Sequence, residues 1–472
     1  MRENEVAIIG AGPAGLTAAF ELSKHGIRGT MYEASNSVGG ISRTEVREGY
    51  RFDLGGHRFF SKSAEVNELW SEMLREPLQL RPRLSRVYYG DKFYDYPLKA
   101  SNALRNMGMI TAMSCLLSYA GAKIKPIENP KSFEEWVTNQ FGQKLYLMFF
   151  KTYTEKVWGI PCSEIGADWA AQRIKGLSLG EAVKNAILGS SKKSTVKTLI
   201  EEFKYPRLGP GQLWEDCAKS VEESGWQIVR GAKVTGVTVE GGKIVAVAFE
   251  KDGETASIPC EKILSTMPLR ELVFACGDSV PNKAIEAAGE LKYRDFITVS
   301  LVLDAENIFP DNWIYVHSPE VRLGRIQNFK NWSKDLVPDS SKTCLGLEYF
   351  CNEGDDLWNA SDDSLIELGY KELKRVGLAN AELVRGWVVR VQKAYPVYDT
   401  GYAERLDCLR EWSNTVQGLY CIGRNGQHRY NNMDHSMMTA LIASRNIALG
   451  HKMDPWAVNE DAEYQETEKV QG

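Results

Sequence analysis

The clearest chemistry in the chain lies in its first sixty residues. Gly10-Ala11-Gly12-Pro13-Ala14-Gly15 follows directly on Val6-Ala7-Ile8-Ile9, a continuous apolar run of the kind a strand buried on both faces presents. Leu16 to His25 then reads as an amphipathic helix. In that setting Gly10 serves the tight turn, Gly12 the close approach of a pyrophosphate and Gly15 the packing of helix on strand, with the positive end of the helix facing the phosphates. A second strand, Gly29 to Tyr32, ends in Glu33, eighteen residues after Gly15, where a carboxylate can take both hydroxyls of an adenosine ribose. Strand, glycines, helix, strand and terminal acid together indicate a bound dinucleotide. Beyond them Gly39 and Gly40 precede Arg43, so a longer dinucleotide running on would meet bare backbone and a cation. Gly55 and Gly56, before His57, would let backbone lie against a flat ring, whereas Asp53 reads as structural.

Elements of three kinds must position these residues. The chain has 472 residues, enough for two or three substructures, with 43% hydrophobic and 25% charged residues, an ordinary globular balance. Its net charge of −5 gives no bulk attraction to nucleic acid. Nine cysteines without a CxxC pair or zinc spacing suit a reducing compartment, so a cytoplasmic, metal-free protein is expected. The apolar stretch Ile110 to Ala122 is too short to span a membrane, and no export signal is visible. Helical spacing marks about 100 to 189, including Phe133 to Phe150. Lys192, Lys193 and Lys197 read as a solvated loop. From Trp226 the pattern alternates as strands, turning at Glu240-Gly241-Gly242 and Asp252-Gly253. A strand-rich block covers Asp295 to Tyr349, with a helix near Ser364 to Val376; a buried strand Leu419 to Ile422 and a helix from Asp434 to about Gly450 follow, and the tail after Asp454 reads as disordered. An α/β protein is therefore expected. A discontinuous Rossmann-type domain takes 1–95, 205–280 and 415–452, an inserted helical domain 96–204, a mixed β-sheet substrate domain 281–414, and a tail 453–472.

The GG-x-x-R segment ending at Arg43 resembles that of the flavoprotein group of amine oxidases, protoporphyrinogen oxidases, phytoene desaturases and UDP-galactopyranose mutases, which implies FAD. Seven further segments in order resemble the UDP-galactopyranose mutase family: DLGGHRFF at 53–60, YDYPLK at 94–99, KVWGIP at 156–161, YPRLGPGQLW at 205–214, GRIQNFKNWS at 324–333, AYPVYDTGY at 394–402 and GRNGQHRYNNMDHSM at 423–437.

The resemblance implies roles residue by residue. Arg173, fifteen residues after Trp158, and Arg325 match the arginines that grip a sugar-nucleotide pyrophosphate, where a planar guanidinium fork suits phosphate oxygens; the alternative is two surface arginines. Tyr395 and Tyr430 match tyrosines aimed at the same diphosphate, or are core aromatics. Trp158 lines the sugar pocket or belongs to the core. His57 matches the histidine whose backbone lies beside the flavin N5 edge, and Gly423, Arg424, Asn432 and Asp434 match flavin contacts. Phe60, Tyr96, Lys99, Thr154 and Trp332 fall on substrate positions, with departures: Lys99 for a glutamine, Thr154 for an asparagine, Trp332 for a tyrosine, and Met433 for a further glutamine. These put the uridine and the galactose in doubt, not the flavin.

The implied activity is interconversion of pyranose and furanose forms of a nucleoside-diphosphate sugar, through attack of reduced-flavin N5 on the anomeric carbon with no net electron transfer and with NAD(P)H as reductant. The rival reading is an FAD-dependent oxidase or dehydrogenase acting on a sugar, amine or porphyrinogen, with which the first sixty residues are equally compatible. A non-catalytic flavin-bound assembly partner is the third.

Overall fold

The computed structural model describes residues 6–96, 100–167 and 202–458. A five-stranded, wholly parallel sheet runs in the order Leu419–Cys421, Lys262–Ser265, Val6–Ile9, Thr30–Glu33, Gln227–Arg230. Val6, Ala7, Ile8 and Ile9 are all buried, as a central parallel strand requires. The helix Pro13–Lys24 lies against the closing helix Met433–Leu449, and Leu16, Ala18 and Leu22 share one core with Met437, Ala440 and Leu441. At about 25 cal/mol per Å² of apolar surface, each of these leucines contributes roughly 2 kcal/mol. The closing helix starts at Met433, one residue before the expected Asp434.

The second sheet has seven strands, in the order Leu383–Pro396, Tyr293–Leu303, Thr343–Cys351, Arg325–Asn328, Trp313–Val316, Ser85–Tyr89, Lys92–Asp95. All its pairs are antiparallel except Trp313–Val316 with Ser85–Tyr89. Thr343–Cys351 is buried along its whole length, so this strand is covered on both faces and reads as a continuous run. Two features differ from the sequence expectation. Ser85–Tyr89 and Lys92–Asp95 were assigned to the dinucleotide portion ending at 95 but hydrogen-bond into this sheet. The fourteen-residue strand Leu383–Pro396 was not foreseen, because its mixed burial gives no sustained alternation.

A three-stranded meander, Lys233–Glu240, Lys243–Lys251 and Glu254–Pro259, turns at the two anticipated glycine sites. The described helical region holds Ala100–Met107, Met109–Ile124, Phe133–Phe141 and Thr152–Trp158, with a π-helical turn at Tyr146–Lys151. The expected helix over Phe133 to Phe150 is broken at Gly142, where φ is +82°. The lysines at 192, 193 and 197 lie outside the described residues. At the other end Pro455–Ala457 forms a short 3-10 turn with Trp456 buried, so the chain stays packed beyond Asp454, where disorder was expected to begin. No described helix is long and apolar enough to cross a membrane.

Candidate active site

The five-stranded and seven-stranded sheets meet across one cleft of about 630 Å³. Its first end is built from backbone. Gly10 has φ +94° and its N–H donates to the Tyr32 carbonyl at 2.8 Å; a side chain there would strike the Thr266 hydroxyl. Gly12 caps the helix Pro13–Lys24 without a side-chain hydrogen bond, which leaves the helix end turned to the cleft with its partial positive charge. Gly15 sits behind the wall, against the Gly10 carbonyl. Glu33 holds this turn, accepting from the Ala11 N–H at 2.8 Å and from the Ser35 N–H at 2.8 Å while facing the cleft. Gly39 donates to the Ala11 carbonyl at 2.8 Å, and Gly40 lies on the wall. Arg43 also reaches the cleft, but its Nε donates to Glu45 at 2.7 Å, so much of its charge is already balanced.

Further along, Gly55, Gly56 and His57 cross over the second sheet. A Cβ on Gly56 would lie 2.9 Å from Gln327 Nε2, so an added side chain would have to displace the Gln327 amide. Burial, then the Arg424 and Arg325 charges, push His57 down to about 4, which makes its imidazole neutral near pH 7; its Nδ1 is buried without a hydrogen-bond partner. On the opposite wall Gly423 donates to Thr439 Oγ1 at 2.8 Å. Arg424 donates to the carbonyls of Ala394 at 2.8 Å and Asn431 at 3.0 Å. Asn432 caps the closing helix, its N–H donating to His435 Nδ1 at 3.2 Å, and buried Asp434 accepts from Ser61 Oγ at 3.0 Å.

The second end is a side-chain network. Arg325 Nη1 lies 3.3 Å from Glu348 Oε2, and Nη2 donates to the Tyr153 hydroxyl at 3.0 Å. Glu348, completely buried, also accepts from Gln327 Nε2 at 2.9 Å. Burial pulls the Arg325 pKa down, but Glu348 and the tyrosines around it outweigh this and hold the guanidinium well above its usual value. Its charge is therefore permanent, and its Nε is buried without a hydrogen-bond partner. Tyr395 and Tyr430 stack 5.7 Å apart at 24°, both under the Arg424 guanidinium, at 4.9 and 4.2 Å. Phe60 and Trp332 also line the cleft, the indole of Trp332 donating to the Asn312 carbonyl at 2.9 Å.

Other expected positions fall elsewhere. Trp158 stands behind the wall, 5.9 Å from Tyr430 and 6.5 Å from Tyr395, and Thr154 is buried away from it. Tyr96 packs on Tyr315 at 5.1 Å without reaching the cleft lining. Arg173 and Lys99 lie outside the described residues. Sequence reading missed Glu348, Gln327, Tyr153 and Tyr315, and also Arg58 and Arg83, whose guanidinia share the Trp313 indole at 5.8 and 5.5 Å. Burial first and Arg83 second push Arg58 down to about 10, still charged near neutrality. A lone acid inside the apolar run Leu345 to Phe350 was the available signal for Glu348.

Bare glycine backbone, an open helix terminus, a cleft-facing carboxylate and a buried imidazole nitrogen without a partner fit a dinucleotide that carries a flat ring. A family model for flavin containing amine oxidoreductases matches residues 13–448. Protoporphyrinogen oxidase 2 (chloroplastic/mitochondrial) of Arabidopsis thaliana is 37% identical over 456 residues, 89% of either chain. The probable UDP-galactopyranose mutase of Klebsiella pneumoniae is 27% identical over 177 residues, 35% of this chain and less than half, 44%, of that relative. A crystal structure of reduced UDP-galactopyranose mutase covers 98% of this chain and is itself covered over 97%, with a TM-score of 0.85 and 22% identity, a likeness of fold. The chain belongs to the flavin-containing amine oxidoreductase family.

Proposed function

We propose that the protein is a flavin-dependent mutase that interconverts pyranose and furanose forms of a nucleoside-diphosphate sugar. The observation that carries this reading is Arg325, a permanently charged guanidinium set in a wall of tyrosines beside His57, in the same cleft as the dinucleotide turn. A diphosphate leaving group needs a cation in place before it departs, and the Arg325 guanidinium on the cleft wall supplies one. When bound and reduced, FAD supplies the nucleophile for the anomeric carbon. Gly55, Gly56 and neutral His57 hold the sugar end of the cleft close to that ring without adding charge. Tyr395 and Tyr430, fixed by Arg424, present hydroxyls to the diphosphate, and the N-terminus of Met433–Leu449 stabilises negative charge on the opposite wall. Arg173 supplies a second guanidinium, and NAD(P)H is the reductant.

A second reading, net oxidation of a sugar, amine or porphyrinogen, is favoured by the Arabidopsis oxidase, which matches over most of both chains. The test is product analysis after anaerobic incubation with a panel of nucleoside-diphosphate sugars, with dithionite-reduced and with oxidised flavin. An isomer of unchanged mass formed only in the reduced sample supports the mutase. Bleaching of oxidised flavin by a panel member, with no isomer, overturns it in favour of the oxidoreductase.

A further inference from the structure

The helix Met109–Ile124 turns an apolar stripe outward. Met109 is 86% exposed, Ile110 89%, Met113 55%, Leu117 68% and Ile124 84%. The spacing of 109, 113, 117 and 124 keeps them on one face, while Ala112 and Cys115 are buried on the other, with Cys115 Sγ 4.0 Å from Met148 Sδ. An ordinary surface helix shows the reverse pattern.

The charge along this stretch of sequence, between Asp95 and Glu128, is one-sided. From Tyr96 to Ile127 there is no Asp or Glu, although a chain with 62 acids in 472 residues places about four in such a length. The same stretch carries Lys99, Arg105, Lys123 and Lys125, and the last three side chains are exposed. An apolar face flanked by exposed cations, on a protein of net charge −5, is complementary to negative charge spread over an apolar phase. A second copy suits it less, because a two-fold contact through this face would set its cations against their own kind. At sixteen residues the helix is about 24 Å long, short of the roughly 30 Å hydrocarbon core, so it would lie on a bilayer and not through it.

We propose that the outward face of Met109–Ile124 docks reversibly on an anionic lipid surface, with Met109, Ile110, Met113, Leu117 and Ile124 entering the headgroup layer and Arg105, Lys123 and Lys125 meeting lipid phosphates. The test is co-sedimentation of the full-length flavoprotein with phosphatidylcholine vesicles and with phosphatidylcholine–phosphatidylglycerol vesicles, at low and high salt. Two double variants accompany it, Lys123→Glu with Lys125→Glu and Leu117→Ser with Ile124→Ser, each required to keep the wild-type melting temperature and flavin content. The expected result is binding at least about tenfold tighter to the anionic vesicles, weakened by salt, with each double variant losing roughly tenfold or more. Equal binding to both vesicle types, no binding to either, or variants that bind like wild type would overturn the proposal. So would a dimer in sedimentation velocity without lipid that Leu117→Ser abolishes, which would give the face to a second copy.

Discussion

The two ends of the cleft are made of different material. At the dinucleotide end the work is done by backbone: the Gly10 turn, the open terminus of Pro13–Lys24 and one carboxylate, Glu33, all within the first thirty-three residues. At the other end it is done by side chains from distant places, as Arg325, Gln327, Glu348 and Tyr153 come from two strands and a helix. A backbone site is local and tolerates almost no added atoms. A side-chain site is assembled by strand register, and its energy resides in charges that balance one another.

The comparison predicts how each end breaks. Gly10→Val should have the largest effect, because it places a branched side chain at φ +94° against the Thr266 hydroxyl. The purified variant should lose its flavin outright, read as flavin absorbance per chain. Full flavin content would show that this turn has more slack than its geometry allows. Glu348→Ala should come next. It leaves the half-buried Arg325 without its counter-charge, a loss of about 3 kcal/mol in denaturant unfolding, whereas Glu348→Gln, which keeps a hydrogen-bond acceptor, should lose less. If the alanine variant unfolds like wild type, the pair is not the keystone of the second end.

The same contrast explains what could be read from the sequence. Glycine spacing, the terminal acid and the parallel strands were legible because residues that cooperate there are neighbours in sequence. Arg325 was legible only through the motif around it. Its partner Glu348 was not, since the two stand opposite each other across antiparallel strands and register has no local signature. The same holds for Ser85–Tyr89, whose parallel pairing with Trp313–Val316 joins segments more than two hundred residues apart. Trp158 was ambiguous for another reason: an aromatic behind a tyrosine wall and one on it have the same sequence pattern. Arg325→Lys sharpens the point with a smaller effect. It keeps the charge beside Glu348 but loses the planar fork, so flavin content should stay unchanged while nucleotide-sugar affinity, by titration calorimetry, falls roughly tenfold. Unchanged affinity would mean that Arg325 serves Glu348 and not the ligand.

Asp53 belongs to neither end but fastens the joint, at the close of the strand Tyr50–Asp53 that leads into Gly55 and Gly56. It is buried, accepts from Thr44 Oγ1 at 2.7 Å and bonds the Tyr205 hydroxyl, and burial, outweighing both bonds, pushes its carboxyl up to about 7. Between the ordinary carboxylate range and about 7 the unfolded chain therefore ionises this group while the native protein keeps its proton, so its contribution to stability falls as pH rises through that window and then levels. Histidines 57, 317 and 428 are pushed the opposite way, to between about 3 and about 4, and add stability as pH rises, so wild type alone would blur the effect. Asp53→Asn isolates it, since the amide occupies the same space without a titrating proton. The stability of wild type relative to Asp53→Asn, from urea unfolding, should be greater at about pH 5 than at about pH 8 by about 2 kcal/mol. A difference independent of pH would show that the joint is held by hydrogen bonds that do not depend on this proton, and the two ends of the cleft would then be fastened by geometry alone.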